Sequence, residues 1–334
     1  MLPMRMQPIY KERVWGGHRL ADLLGKDVPA DRPIGESWEL ADHPKGRSLI
    51  ADGPFAGKTL RWLLDRHADA VVGRNERARG AAARFPLLVK FIDAADRLSV
   101  QVHPDDAAAA VRHGGESGKA ECWVVLAAEP DAWVVDGLAP AVTRKALGEA
   151  IRAGNVQDLL IFRKVAPGDV IWIPVGHVHA AGPGVLLAEI QQNSDLTYRL
   201  YDWDRAGLDG KPRDLHVEAA LETIVFDGEP TPSGGRGRTI SETGLEIEHL
   251  VDCHAFSLSR VRLDRRPWAA GTGGTYAAVI VLEGRATLAA DDGQAALEPG
   301  ATLLVPADAG EYAFTDADNL VCLVAAPPGK APTR

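Results

Sequence analysis

The chain has 334 residues, 46% hydrophobic and 25% charged, with a net charge of −9 from 37 Lys and Arg against 46 Asp and Glu. This is the profile of a soluble globular protein with a real core, large enough for one big domain or two ordinary ones. No apolar run reaches the length of a membrane span and no basic tract advertises nucleic acid, while three widely spaced cysteines, Cys122, Cys253 and Cys322, argue for a reducing cytoplasm over a disulfide framework.

The opening MLPMRMQPIYKERVWGG lacks the apolar run and small-residue cleavage site of a secretory leader, so none is expected. Residues 1–55 are rich in Gly, Pro and Trp, and the run IGESWELADHPKGRSLIADGPFAGKTL reads as short strands with turns. TLRWLLDRHADAVVG (59–73) reads as a helix, and 85–106 as two strands around a turn at 94–96. DDAAAAVRHG (105–114) is a short helix with acidic residues at its N-terminus, where they complement the helix dipole. Strand-length apolar runs over 119–138 are separated by Glu129-Pro130-Asp131. A helical pattern from 143 ends in strand-like LLIF at 162. VAPGDVIWIPVGHVHAAGPGVLLAEIQQNS then reads as strand, turn and strand, and HVEAALETIVF (216–226) as a last helix.

DGEPTPSGGRGRTISETG (227–244) is dense in Pro, Gly, Ser and Thr and reads as a linker. Residues 245–326 read as short alternating strands with Gly turns and no helix. Mixed elements followed by strands alone fit antiparallel sheets with helical insertions, not repeated βαβ units. The division expected is 1–228, a linker at 229–244, and 245–334.

In LSVQVHPDD (98–106), Gln101 and His103 are two apart, so on a strand they share a face while Val100 and Val102 turn to the other. An imidazole and an amide oxygen on one face make half of a metal site. In GDVIWIPVGHVHA, Gly168 is followed by five residues, Pro174, one residue, Gly176, two residues and His179. This pattern resembles the second signature of the cupin jelly roll. It implies a strand, a sharp hairpin at Gly176, and His179 facing into a small barrel. GATLLVPADAGE repeats Gly300 and Pro306, with Asp308 and Glu311 where Gly176 and His179 stand. The fold expected is therefore mainly β: two cupin-like jelly-roll barrels, the second without metal, with short helical segments in the N-terminal half.

SVQVHPDD, GKAECWVVL and VGHVHAAGPGVLLAEIQQNSDLTYRLYDWDR, together with PIYKERVWGG and IGESWELADHP, resemble the type I phosphomannose isomerases in their short bacterial form. The likeness covers residues 7–228, with a weaker echo beyond. It implies a single zinc ion per chain held by Gln101, His103, Glu121 and His179. Imidazoles and a carboxylate suit zinc, and a weak amide ligand leaves an exchangeable position, as catalytic sites require. Cys122, next to Glu121, should face away. The resemblance places Lys119, Asp195 and Arg199 as catalytic residues, with Lys90, Ser99 and Trp15 lining the substrate site. His177 departs from the family, which usually has Thr or another small residue there; its spacing lets it face the cavity beside His179, as a substrate-site residue or as the ligand in place of His179, and the cupin frame favours His179 as the ligand.

The activity implied is aldose–ketose isomerisation of mannose 6-phosphate and fructose 6-phosphate through an enediol, by a cytoplasmic monomer needing no nucleic acid or membrane. Lys119 ranks first for proton transfer, Arg199 for phosphate and developing charge, and Asp195 for ring opening. The alternatives are an isomerase of another hexose or sugar phosphate, a non-catalytic sugar-phosphate-binding cupin, and an iron dioxygenase, which Gln-x-His fits less well. A lone histidine is more often structural, so His18, His43, His67, His113, His216, His249 and His254 are assigned to core or surface. DWDRAGLDGK (202–211) lacks EF-hand spacing and GTGGTY (271–276) lacks the P-loop Lys, so both read as turns.

Overall fold

Strand parity organises the molecule. Along Glu121–Ala128, Cys122 and Val124 join one apolar cluster while Trp123 and Val125 join another. The computed structural model describes residues 1–81, 83–226, 237–291 and 293–332. Among these, no helix is long and apolar enough to cross a membrane.

The N-terminal half is built on two facing antiparallel sheets. One has six strands, in the order Val170–Ile173, Glu121–Ala128, Val185–Gln192, Leu87–Ala94, Ile34–Leu40 and Ile9–Gly17. The other has five: Leu160–Lys164, Trp133–Leu138, His179–Ala181, Val100–Val102 and Tyr198–Tyr201. Their inner faces meet through Trp123, Val125, Ile173 and Leu187 from the first and Val134 and Ala181 from the second. The outer face of the five-stranded sheet, carrying Val100, Val102 and Val178, packs on Leu147 and Leu221 of the helices Arg144–Ala153 and Val217–Thr223.

A ten-stranded sheet holds the C-terminal strands. One face, with Val279, Val281, Phe314 and Val324, closes on itself. The other, with Ala278, Ile280, Leu304 and Leu323, packs on Val89, Phe91, Val124 and Ile190 of the six-stranded sheet. The second unit is thus buried against the first across an apolar interface.

The elements differ from the sequence reading in four places. Met4–Gln7 pairs with Thr302–Val305, so the start of the chain joins the C-terminal sheet. Thr239–Glu242, inside the expected linker, is a strand paired with Leu245–Asp252, while residues 229–236 of that linker lie outside the described residues. The C-terminal strands are not all short: Ala277–Ala290 and Glu311–Ala326 have 14 and 16 residues. Their mutual register shifts three times, between Val281 and Thr287, which bends the pair so that one strand serves several partners. Finally, Val170–Ile173 and His179–Ala181 belong to different sheets, so the turn at Gly176 is a crossing between sheets, not a hairpin. Gly176 has φ +79°, and a Cβ there would lie 2.7 Å from Val225 Cγ2.

Candidate active site

Cross-strand register collects the polar residues of the inner faces. His179 lies opposite Gln101, and Gln101 opposite Arg199, so these three form a row across the five-stranded sheet. On the facing sheet Trp123, Glu189, Lys90 and Trp38 form another row, with Glu121 and Gln191 beside it. A cleft of about 660 Å³ opens between them.

His103, Glu121 and His179 form the floor, each no more than 1% exposed. Their possible ligand atoms lie within 4.8 Å of one another. His179 Nε2 is 3.2 Å from Glu121 Oε1, and His103 Nε2 is 3.6 Å from Glu121 Oε2. The far nitrogen of each ring is pinned by a backbone carbonyl: His103 Nδ1 donates to Leu196 O (2.8 Å) and His179 Nδ1 to His177 O (2.9 Å). A carbonyl only accepts, so Nδ1 carries a proton and each ring turns its Nε2 toward Glu121. Burial first, and then the Lys119 charge, lower the His103 imidazole to about 3, against the pull of Glu121. Burial alone would raise the Glu121 carboxyl. The Lys119 ammonium outweighs that, and it lies well below the ordinary carboxylate range.

These residues fit a metal ion. Two imidazoles and a carboxylate converge, and among the described residues Glu121 Oε1 is buried without a hydrogen-bond partner, an atom suited to meet a cation. Gln101 sits at the edge, its Nε2 3.2 Å from His179 Nε2 and its Oε1 accepting from Ser99 Oγ at 3.4 Å. A half-turn of this amide would exchange donor for oxygen.

Lys119 Nζ donates to Glu121 Oε2, lies 3.1 Å from His103 Nε2, and is 3.7 Å from Glu189 Oε1. Lys90 donates to that same Glu189 oxygen at 2.9 Å, and Trp123 Nε1 donates to the other at 3.1 Å. Asp195 accepts from Lys45 Nζ at 2.8 Å. Burial raises its carboxyl, but Lys90 and Lys45 more than offset this and hold it below its ordinary value. Arg199 donates to the Asp214 carbonyl at 2.7 Å, and among the described residues no carboxylate pairs with it. Burial and then the neighbouring Arg213 lower it.

Of the expected residues, Gln101, Lys119, Asp195, Arg199, Lys90, Ser99 and Trp15 line the cleft, with His103, Glu121 and His179 beneath. His177 does not line it; its Nε2 meets Asp136 Oδ1 at 2.9 Å. Two-residue spacing puts side chains on one face only within a strand, and the strand begins at His179. His113 and His216, expected to be structural, do line the cleft. Arg13, Glu36, Lys45 and Glu189 were not anticipated, and line it too. A charge inside an apolar strand such as VLLAEIQQ or IGESWEL was the available signal. Cys122 faces the opposite core, as expected.

Two family models match. One describes the catalytic domain of type I phosphomannose isomerase, over residues 3–135, and the other the cupin domain of mannose-6-phosphate isomerase, over residues 246–322. Mannose-6-phosphate isomerase ManA of Bacillus subtilis (strain 168) is 36% identical over 317 residues, covering 93% of this chain and 95% of the relative. The mannose-6-phosphate isomerase of Streptococcus mutans is 35% identical, covering 91% and 92%. The crystal structure of the Bacillus subtilis mannose 6-phosphate isomerase superposes with a TM-score of 0.89 at 32% identity, over 97% of this chain and 99% of that one.

Proposed function

Since the chain belongs to the type I phosphomannose isomerases, we propose that it interconverts mannose 6-phosphate and fructose 6-phosphate, with zinc as its metal. One observation carries this reading: a buried His-Glu-His set with both imidazole Nε2 atoms turned inward lies beneath a cleft rich in cations. Gln101, His103, Glu121 and His179 would hold the ion. When bound, zinc supplies Lewis-acid polarisation of the sugar oxygens.

The protein's own residues divide the remaining work. Lys119 Nζ contacts His103 Nε2 and Glu121 Oε2, two of the atoms that would hold a cation. With a cation held there, the Lys119 side chain would be freed toward the cleft it lines. In its neutral amine form Lys119 is then placed to take the C2 proton of the open-chain aldose, becoming the ammonium, and to return that proton to C1, while a second proton moves from O2 to O1 through the enediol. The negative charge that develops on the oxygens calls for a preset cation. Arg199, in register with Gln101 and lacking a carboxylate partner, provides it or clamps the phosphate with its planar fork. Asp195 is suited to move the hydroxyl proton during ring opening. Lys90, Ser99 and Trp15 bound the substrate space, and Glu189 fixes Lys90.

The test is a coupled assay following fructose 6-phosphate formed from mannose 6-phosphate, using untreated, chelator-stripped and zinc-restored protein. Turnover lost on stripping and regained with zinc supports the proposal. No turnover in zinc-loaded protein refutes the phosphomannose assignment.

A further inference from the structure

We propose that His177 and Asp136 form a positioning pair for His179, an inference that rests on the metal reading above. His177 is not among the residues that line the cleft, and its ring is engaged by Asp136. Its backbone carbonyl accepts from His179 Nδ1 at 2.9 Å, and its ring Nε2 donates to Asp136 Oδ1 at 2.9 Å. Asp136 is the residue directly paired with His179 on the neighbouring strand. Its second oxygen meets Arg163 Nε at 3.2 Å. Asp136 is 2% exposed, and the His177 side chain is 11% exposed. One buried carboxylate thus ties together the strand opposite His179 and the residue whose carbonyl orients the His179 ring.

The location makes such a tie useful. The segment from Pro174 to Val178 crosses between two sheets and turns at left-handed Gly176; backbone N–H groups hold the Pro174, Gly176 and Val178 carbonyls, and the His177 carbonyl accepts from the His179 ring. The direction of the His177 carbonyl follows the backbone of His177 itself. Anchoring the side chain holds that backbone, which holds Nδ1 of His179 and aims Nε2 at Glu121. Partners that bond a ligand directly are worth 10–100-fold in metal affinity. The His177 ring acts one link further out, which puts its effect at about tenfold, the lower end of that range.

The experiment measures zinc affinity by competition with a chromophoric chelator on the full chain, with the thermal midpoint of each metal-free variant recorded alongside. His177→Phe keeps the ring volume and removes the donor. His177→Gln removes the ring and keeps a donor near the same place. The expected result is one zinc per wild-type chain, about tenfold weaker binding for His177→Phe, and binding within about threefold of wild type for His177→Gln. Should His177→Phe not fold, His177→Ala reads the same loss. Wild-type affinity in the donor-less variant overturns the pair, and so does equal weakening in both variants. Failure of the wild-type chain to bind zinc overturns the metal reading and the pair with it.

Discussion

Glu121→Gln changes charge while nearly preserving shape, so it isolates what the carboxylate does. On the cleft floor two ammonium groups, Lys90 and Lys119, face two carboxylates, Glu121 and Glu189. The exchange leaves one positive charge uncompensated. Lys119 would retain Glu189 at 3.7 Å, a pair of about 4 kcal/mol at an effective dielectric of about 20. Glu189, however, already serves Lys90 at 2.9 Å. Removing one partner of a buried pair costs about 3–5 kcal/mol. Here the remaining carboxylate keeps the cost of the metal-free protein near the lower figure. A zinc ion entering the variant meets a pocket with one more positive charge, and about 4 kcal/mol of lost attraction is about a thousandfold in affinity. Chelator competition gives the affinity, and urea unfolding of stripped protein gives the stability. Zinc binding within about tenfold of wild type would refute the assignment of Glu121 as the anionic ligand. A metal-free variant more stable than wild type would refute the account of its pairing with Lys119.

Arg199→Lys retains charge but loses the planar fork, so kcat/KM should fall about 10–100-fold with the fold intact; steady-state kinetics near wild type would remove Arg199 from the site. Gly176→Ala places a side chain at φ +79° and 2.7 Å from Val225 Cγ2, and should destabilise by about 1–3 kcal/mol, read as a lower urea midpoint at unchanged slope. Burial raises the Glu36 carboxyl, but Arg13, in a two-point pair, and Lys90 more than reverse this and lower it from 4.5. Because the folded value is depressed, its contribution is present above about pH 4.5 and is lost as the pH falls through the folded value. Glu36→Gln should therefore lose stability at neutral pH and flatten the acid limb of a stability–pH curve; an unchanged acid limb would contradict the pairing.

Much of the site was legible because its ligands sit in short, distinctive contexts. Gln101 lies on the strand Val100–Val102 with His103 directly after it, and His179 opens the strand after a glycine turn, so two-residue spacing within short motifs pointed to all three. The same rule does not reach His177, which lies two residues before the strand that His179 opens. His113 and His216 were missed because they come from loop and cap positions, where periodicity says nothing. Arg13 and Lys45 reach the cleft from the rim through long side chains, and the partner of a rim charge is a tertiary fact. The N-terminal strand Met4–Gln7 is four residues long, and nothing in MRMQ names Thr302–Val305 as its partner. Only closure of the far sheet does so.

The apolar partners of the site residues explain why the polar ones stay in place. In Leu87–Ala94, Lys90 faces the cleft while Val89 and Phe91 face the C-terminal sheet, and in Val185–Gln192, Glu189 alternates with Ala188 and Ile190. A one-residue slip of either strand would carry a charge into that apolar interface and a core side chain into the cleft. Burying an unpaired charge there costs several kcal/mol, comparable to a substantial part of a domain's whole stability. The C-terminal sheet therefore contributes to the site without touching it: by covering the back of the six-stranded sheet it sets the register on which the positions of Lys90, Glu121 and Glu189 depend.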